Sequence, residues 1–182
     1  MRLSELLVER KPAIIKGWMD SMLELYHKDT RTFLVKRKDQ FANPIGHSLS
    51  TNLELLYELL LENKDLDAVK AESALDELIR VRSIQDFSSS DCVSFIFLLK
   101  DVVHQELENE LKEASLIKEF LLLGSRIDRL MLLGFDIHMR YRERIYKIKA
   151  DTVKRDVAYL LKKTGFLSDI PEWDDTKPED SE

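Results

Sequence analysis

A chain of 182 residues with 44% apolar and 34% charged side chains is long enough to bury a core as one domain and too apolar to stay disordered. No apolar run reaches the roughly 18–20 residues that a membrane-spanning helix needs, so no membrane insertion is expected. The net charge of −6 sits at one end. Residues 168–182, SDIPEWDDTKPEDSE, hold seven acidic residues and one lysine, while the other 167 residues balance at 27 of each sign. A body with no basic excess does not attract polyanions, so no nucleic-acid partner is expected.

The opening MRLSELLVERK is amphipathic and charged, with no apolar core of the kind a secretory leader carries. The single cysteine, Cys92, lies in an apolar run. It fits a buried thiol in a reduced, cytoplasmic compartment. Apolar residues recur three and four apart, strand-like alternation is absent, and no Asn-Gly or Asp-Gly hairpin signal occurs. This pattern predicts an all-α fold of six to seven helices, organised as a helical domain over 1–167 and an acidic tail over 168–182.

The first helix is expected at about 4–27, with Ile14, Ile15, Trp18, Met22 and Tyr26 on one side and Pro12 able to start or kink it. A short helix at about 30–38 follows. In the stretch FANPIGHSLS, Asn43 is a good N-cap and Pro44 a good first helical residue. The helix they open, about 44–62, would bury Ile45, Leu49, Leu53, Leu56 and Leu60 and turn His47 outward. A fourth helix at about 67–86 has Leu75, Leu78 and Ile79 inward. Ser88 and Asp91 have capping-box spacing, and Phe87 and Cys92 the spacing of a hydrophobic staple. They introduce a fifth helix, about 89–112, which is apolar nearly all round from Cys92 to Leu99 and therefore central to the core. A shorter helix at about 115–123 would end at Gly124. Ser125 and Asp128 would then cap a last helix running to about Lys163.

Catalytic and metal motifs are absent: no phosphate-binding loop, dinucleotide fingerprint, nucleophile elbow, zinc spacing or HExxH. Glu24 with His27, and Asp101 with His104, have the Glu-x-x-His type of spacing found in di-iron bundles, but rotation puts both pairs on solvated faces. No catalytic residue, metal or cofactor is expected, and the chain reads as non-enzymatic. His138 differs because it shares a face with Ile127, Leu130, Gly134, Ile137 and Tyr141. It is a candidate haem ligand or pH-sensitive group, against a structural reading in which it is a hydrogen-bonded core histidine. In RVRSIQDF, Arg82 and Asp86 share a face and can pair four residues apart. With Arg80 and Gln85 beside them they form either a clamp between the fourth and fifth helices or a polar pocket for a small anion. Along the last helix, Tyr141, Ile145, Ile148, Val157 and Leu160 form a thin apolar line amid charge, which predicts pairing with a second copy. Trp173, in the acidic tail, is expected to dock on its own domain or on a partner.

The ordered set FANPIGHSLS, LIRVRSIQDFSSSDCVSFIFLLKDVV and LMLLGFDIHMRYRERIYKIKADTVKR resembles the RsbRD N-terminal domain family. The likeness extends to about residue 160. The resemblance implies a bacterial stress-signalling module: a dimeric, globin-like, haem-free helical domain with a helix leading to an output domain. The residues alone leave an orthogonal bundle open. No STAS output sequence follows here, so the output is expected to reach a separate signalling or redox protein. Two other readings are a globin-like domain holding haem or a small molecule, and an adaptor subunit of a cytoplasmic complex.

Overall fold

The computed structural model describes residues 2–28, 30–32, 43–62, 66–83 and 87–165. As expected, the fold is all-α with a long final helix. Its elements are α1 (Leu3–Glu9), α2 (Lys11–Glu24), α3 (Pro44–Leu61), α4 (Ala68–Ser83), α5 (Ser89–Glu106), a 3-10 turn (Glu110–Lys112) and α6 (Ala114–Lys163). No strand occurs among the described residues. The chain divides into two units, Met1–Tyr141 and Arg142–Glu182. The expected boundary between 167 and 168 lies outside the described residues, as does most of the short helix placed at 30–38.

In the first unit, α2 packs chiefly on α5 and α3 on α4. The expected single helix at 4–27 is two helices, broken at Arg10 (φ −90°, ψ 4°). The cause is Pro12. It has no N–H to give the Val8 carbonyl, and its ring would collide with that carbonyl in a continuous helix. It is accepted in the first turn of a new helix instead. Along α2 the four-residue spacing of Ile14, Trp18 and Met22 keeps all three at 0% exposure. Trp18 Nε1 donates to the Phe95 carbonyl at 2.7 Å, and the two rings stack at 6.5 Å.

Asn43 caps α3 as its sequence suggests, its Oδ1 accepting from Gly46 N at 2.9 Å. The buried stripe begins at Gly46 rather than at Ile45, which is 43% exposed; Leu49, Leu53, Leu56 and Leu60 complete it, and His47 faces outward. Ser88 caps α5 by accepting from Asp91 N, and its hydroxyl donates to the Asp91 carboxylate. The body of α5 is buried at Cys92, Val93, Phe95, Ile96 and Leu99, with Phe97 as the exposed exception. This helix ends at Glu106, and 110–112 form the 3-10 turn rather than its continuation. The expected break at Gly124 does not occur. Ser125 Oγ donates back to the Leu121 carbonyl within one unbroken helix, and Asp128 pairs with Lys100 instead of capping. One glycine in a helix costs about 1 kcal/mol relative to alanine, too little to stop a helix whose flanking turns bury Leu116, Leu123, Ile127 and Leu130.

Candidate functional site

The polar residues at the end of α4 meet α5 and α6 inside the first unit. Arg82 is fully buried. Its Nε donates to the Cys92 carbonyl at 3.0 Å and its Nη2 to the Asp91 carbonyl at 2.8 Å. The guanidinium lies over three rings: Phe87 at 4.3 Å, Tyr26 at 4.9 Å and Phe95 at 5.4 Å. Among the described residues no carboxylate forms an ion pair with it. Among the described residues its charge meets carbonyl dipoles and π faces, each of which favours a cation. Ser83, the next residue, has its Oγ 3.2 Å from His138 Nδ1 on α6 and 3.7 Å from Cys92 Sγ.

Burial pushes the Cys92 thiol above its ordinary value, with Ser83 and Arg82 pulling it partly back. Burial likewise raises Tyr26, again against Arg82. Both groups therefore hold their protons at neutral pH, and the thiol is not poised as a nucleophile. What this cluster does chemically is join three helices through charge-assisted and neutral hydrogen bonds.

Of the sequence candidates, Arg82 and His138 lie in this cluster. Arg80 is exposed and pairs with Glu77 at 2.8 Å. Gln85 and Asp86 lie outside the described residues. The ring contacts of Tyr26 and Phe87 and the Ser83 bridge were missed from sequence. Only the four-residue spacing of Ile14, Trp18, Met22 and Tyr26 hinted that the tyrosine turned inward. His138 is 2% exposed. One turn before it, a Cβ on Gly134 would stand 2.8 Å from Ile96 Cδ1 and 3.3 Å from Ile79 Cδ1. A macrocycle stacked on His138 would have to part α6 from α4 and α5. The pairs Glu24 with His27 and Asp101 with His104 are exposed, and no group of three or more metal-type ligands occurs among the described residues.

A cleft of about 430 Å³ is lined by Leu3, Leu7, Leu60, Leu123, Glu119 and Arg126, among others. It does not involve the Arg82 cluster.

The second unit offers a different feature. The apolar residues assigned to one line do not share a face. Tyr141 belongs to the first unit and donates to Asp76 Oδ2 at 2.9 Å. Within the second unit Ile145 and Ile148 share one face. Val157 is nine residues past Ile148, half a turn round at ~100° per residue. Val157 and Leu160 instead continue a seam with Tyr146, Ala150 and Val153, spaced four, three, four, three. Tyr146, Val153, Val157 and Leu160 are 57%, 61%, 48% and 57% exposed.

The family model for the RsbT co-antagonist protein rsbRD N-terminal domain matches residues 12–152. The chain belongs to this family. No curated protein and no solved structure matches it. Membership points to a signalling domain of the stressosome type. The match takes in Arg82, Ser83, Cys92 and His138. It stops short of Val153, Val157, Leu160 and the acidic residues 168–182. Among the described residues no helix is long and apolar enough to cross a membrane.

Proposed function

We propose that the chain is a non-enzymatic regulatory module that pairs with a second copy through the seam of α6 and signals to a separate protein. The seam carries this reading. An alternating four-three spacing of apolar residues on an exposed helix is the geometry of knobs packing into holes on a partner helix. Covering one such side chain completely is worth about 1.5–3 kcal/mol, and the seam presents several per copy. Membership in the rsbRD N-terminal domain family supports a signalling role, and the Arg82 cluster supports a rigid three-helix joint as the part that holds the domain in one state.

Analytical ultracentrifugation of the full chain and of a chain ending at residue 167 tests the pairing. A dimer is expected in at least the shorter form, and Val153→Glu together with Leu160→Glu should return it to monomer. A monomer in both forms at high concentration overturns the reading, as does a dimer that both substitutions leave intact.

A further inference from the structure

The seam of the second unit is flanked by basic charge. Residues 142–165 hold eight Arg and Lys residues, among them Arg142, Lys147, Lys149 and Lys163, against Glu143, Asp151 and Asp156: a net +5. Lys149 borders one side of the seam and Lys147 the other. Two copies brought face to face along the seam would juxtapose these flanks, a like-charge arrangement that opposes pairing. The sequence supplies a segment of opposite sign immediately downstream. Residues 168–182 carry −6 together with Ile170 and Trp173.

α6 closes just before that segment. Gly165 closes the helix with φ +76°, donating to the Lys162 carbonyl at 3.2 Å, while Thr164 N donates to the Leu160 carbonyl at 2.9 Å. This left-handed C-terminal closure suits glycine and ends the helix. Reach is sufficient. The eight residues from Gly165 to Trp173 span up to ~26 Å when extended. Val153 lies twelve residues back along the helix, ~18 Å at 1.5 Å per residue.

We propose that residues 168–182 dock on the α6 seam of their own chain, with Trp173 covering apolar side chains near Val153 and the acidic residues facing Lys147 and Lys149. Docked there, the tail occupies the surface proposed for the second copy, so it restrains dimerisation. This restraint rests on the dimer reading; the docking itself does not.

Trp173 reports on the docking directly, because Trp18 is the one other tryptophan and its signal is removed by subtracting the emission of a Trp173→Phe variant. The expected difference spectrum of the full chain at low salt is blue-shifted and several-fold less quenched by acrylamide than free indole. It is independent of protein concentration, and it reverts to the hydrated spectrum in Val153→Glu, in Lys147→Glu with Lys149→Glu, and at 1 M salt, where the screening length falls to ~3 Å. The two lysine positions are exposed, so that charge-reversed pair keeps its fold, which far-ultraviolet circular dichroism verifies. A hydrated spectrum at low salt overturns the proposal. So does a blue shift that the lysine pair leaves unchanged, or one that appears only as concentration rises, which would put the tail on another copy. A shielded Trp173 in a chain that stays monomeric when shortened leaves the docking standing and removes the dimer; a hydrated Trp173 in a chain that dimerises does the reverse.

Discussion

Two glycines ten residues apart on α6 should respond in opposite ways to the same methyl group. Replacing a helix-interior glycine by alanine gains about 1 kcal/mol from backbone entropy alone. At Gly124 the new Cβ would meet nothing closer than Lys100 Cε at 3.8 Å, an ordinary contact. The full gain should appear, raising the melting temperature by roughly 2–4 °C for a domain of this size. At Gly134 the same Cβ would stand 2.8 Å from Ile96 Cδ1 and 3.3 Å from Ile79 Cδ1. Carbon pairs prefer about 3.5–4.0 Å, so Ile96 must withdraw by ~0.7 Å or more inside a filled core. Overpacking of this kind costs about 1–3 kcal/mol. The entropy gain offsets part of that, leaving Gly134→Ala between neutral and ~2 kcal/mol destabilised. Urea unfolding of the two variants should therefore separate them by ~1–3 kcal/mol, with Gly124→Ala the more stable. Equal stabilisation of both would refute the close approach of α6 to α4 and α5.

Stability should also fall at alkaline pH. Burial raises the pKa of Tyr57, whose Oη donates to the Leu7 carbonyl at 2.9 Å, and of Tyr26 and Cys92. The unfolded chain releases these protons near the ordinary values of 9.0 for cysteine and 10.0 for tyrosine, while the folded chain keeps them. The stabilisation is whole below about pH 9 and is lost as pH rises towards the folded values; the urea midpoint measured from pH 8 to 11 should drop, less steeply in Tyr57→Phe, and a flat profile would contradict the burial of these groups. At the start of α3, Asn43→Ala removes the acceptor for Gly46 N and should cost about 1 kcal/mol, read by the same unfolding assay; no loss would mean that the cap contributes nothing to the fold.

The helices were legible wherever local chemistry decided them. Asn43-Pro44 and Ser88 with Asp91 start helices by satisfying backbone donors within three residues of themselves, and periodicity picked out Leu49, Leu53, Leu56 and Leu60. One error came where a distant contact outweighed a local signal. Gly124 and Ser125 looked like a stop and a start, yet burial of Leu123 and Ile127 carries α6 through them. Pro12 looked like a choice between start and kink, and it both ends α1 and opens α2. The candidate site was legible in part. Arg82 announced itself as a charge on an apolar face. Its acceptors among the described residues are backbone carbonyls, which have no residue signature, and its expected partner Asp86 lies outside those residues. The Ser83 to His138 bridge joins positions 55 residues apart, which no periodicity can pair.

The apolar line on α6 shows why spacing must be followed through the whole helix. Ile145 and Ile148 keep one register, and Tyr146, Ala150, Val153, Val157 and Leu160 keep another; only the second holds a heptad for three turns and more. The proposed competition with the tail would have a definite size. If the tail covers the seam nine-tenths of the time, each copy is available for pairing one-tenth of the time, as with any binding-competent minor state. Dimerisation needs both copies open, so the apparent association constant falls by about a hundredfold. A cover worth only ~1.4 kcal/mol per chain would thus move the proposed dimer by two orders of magnitude. Anything that draws the acidic tail away, a basic partner surface above all, would act on pairing with the same squared leverage.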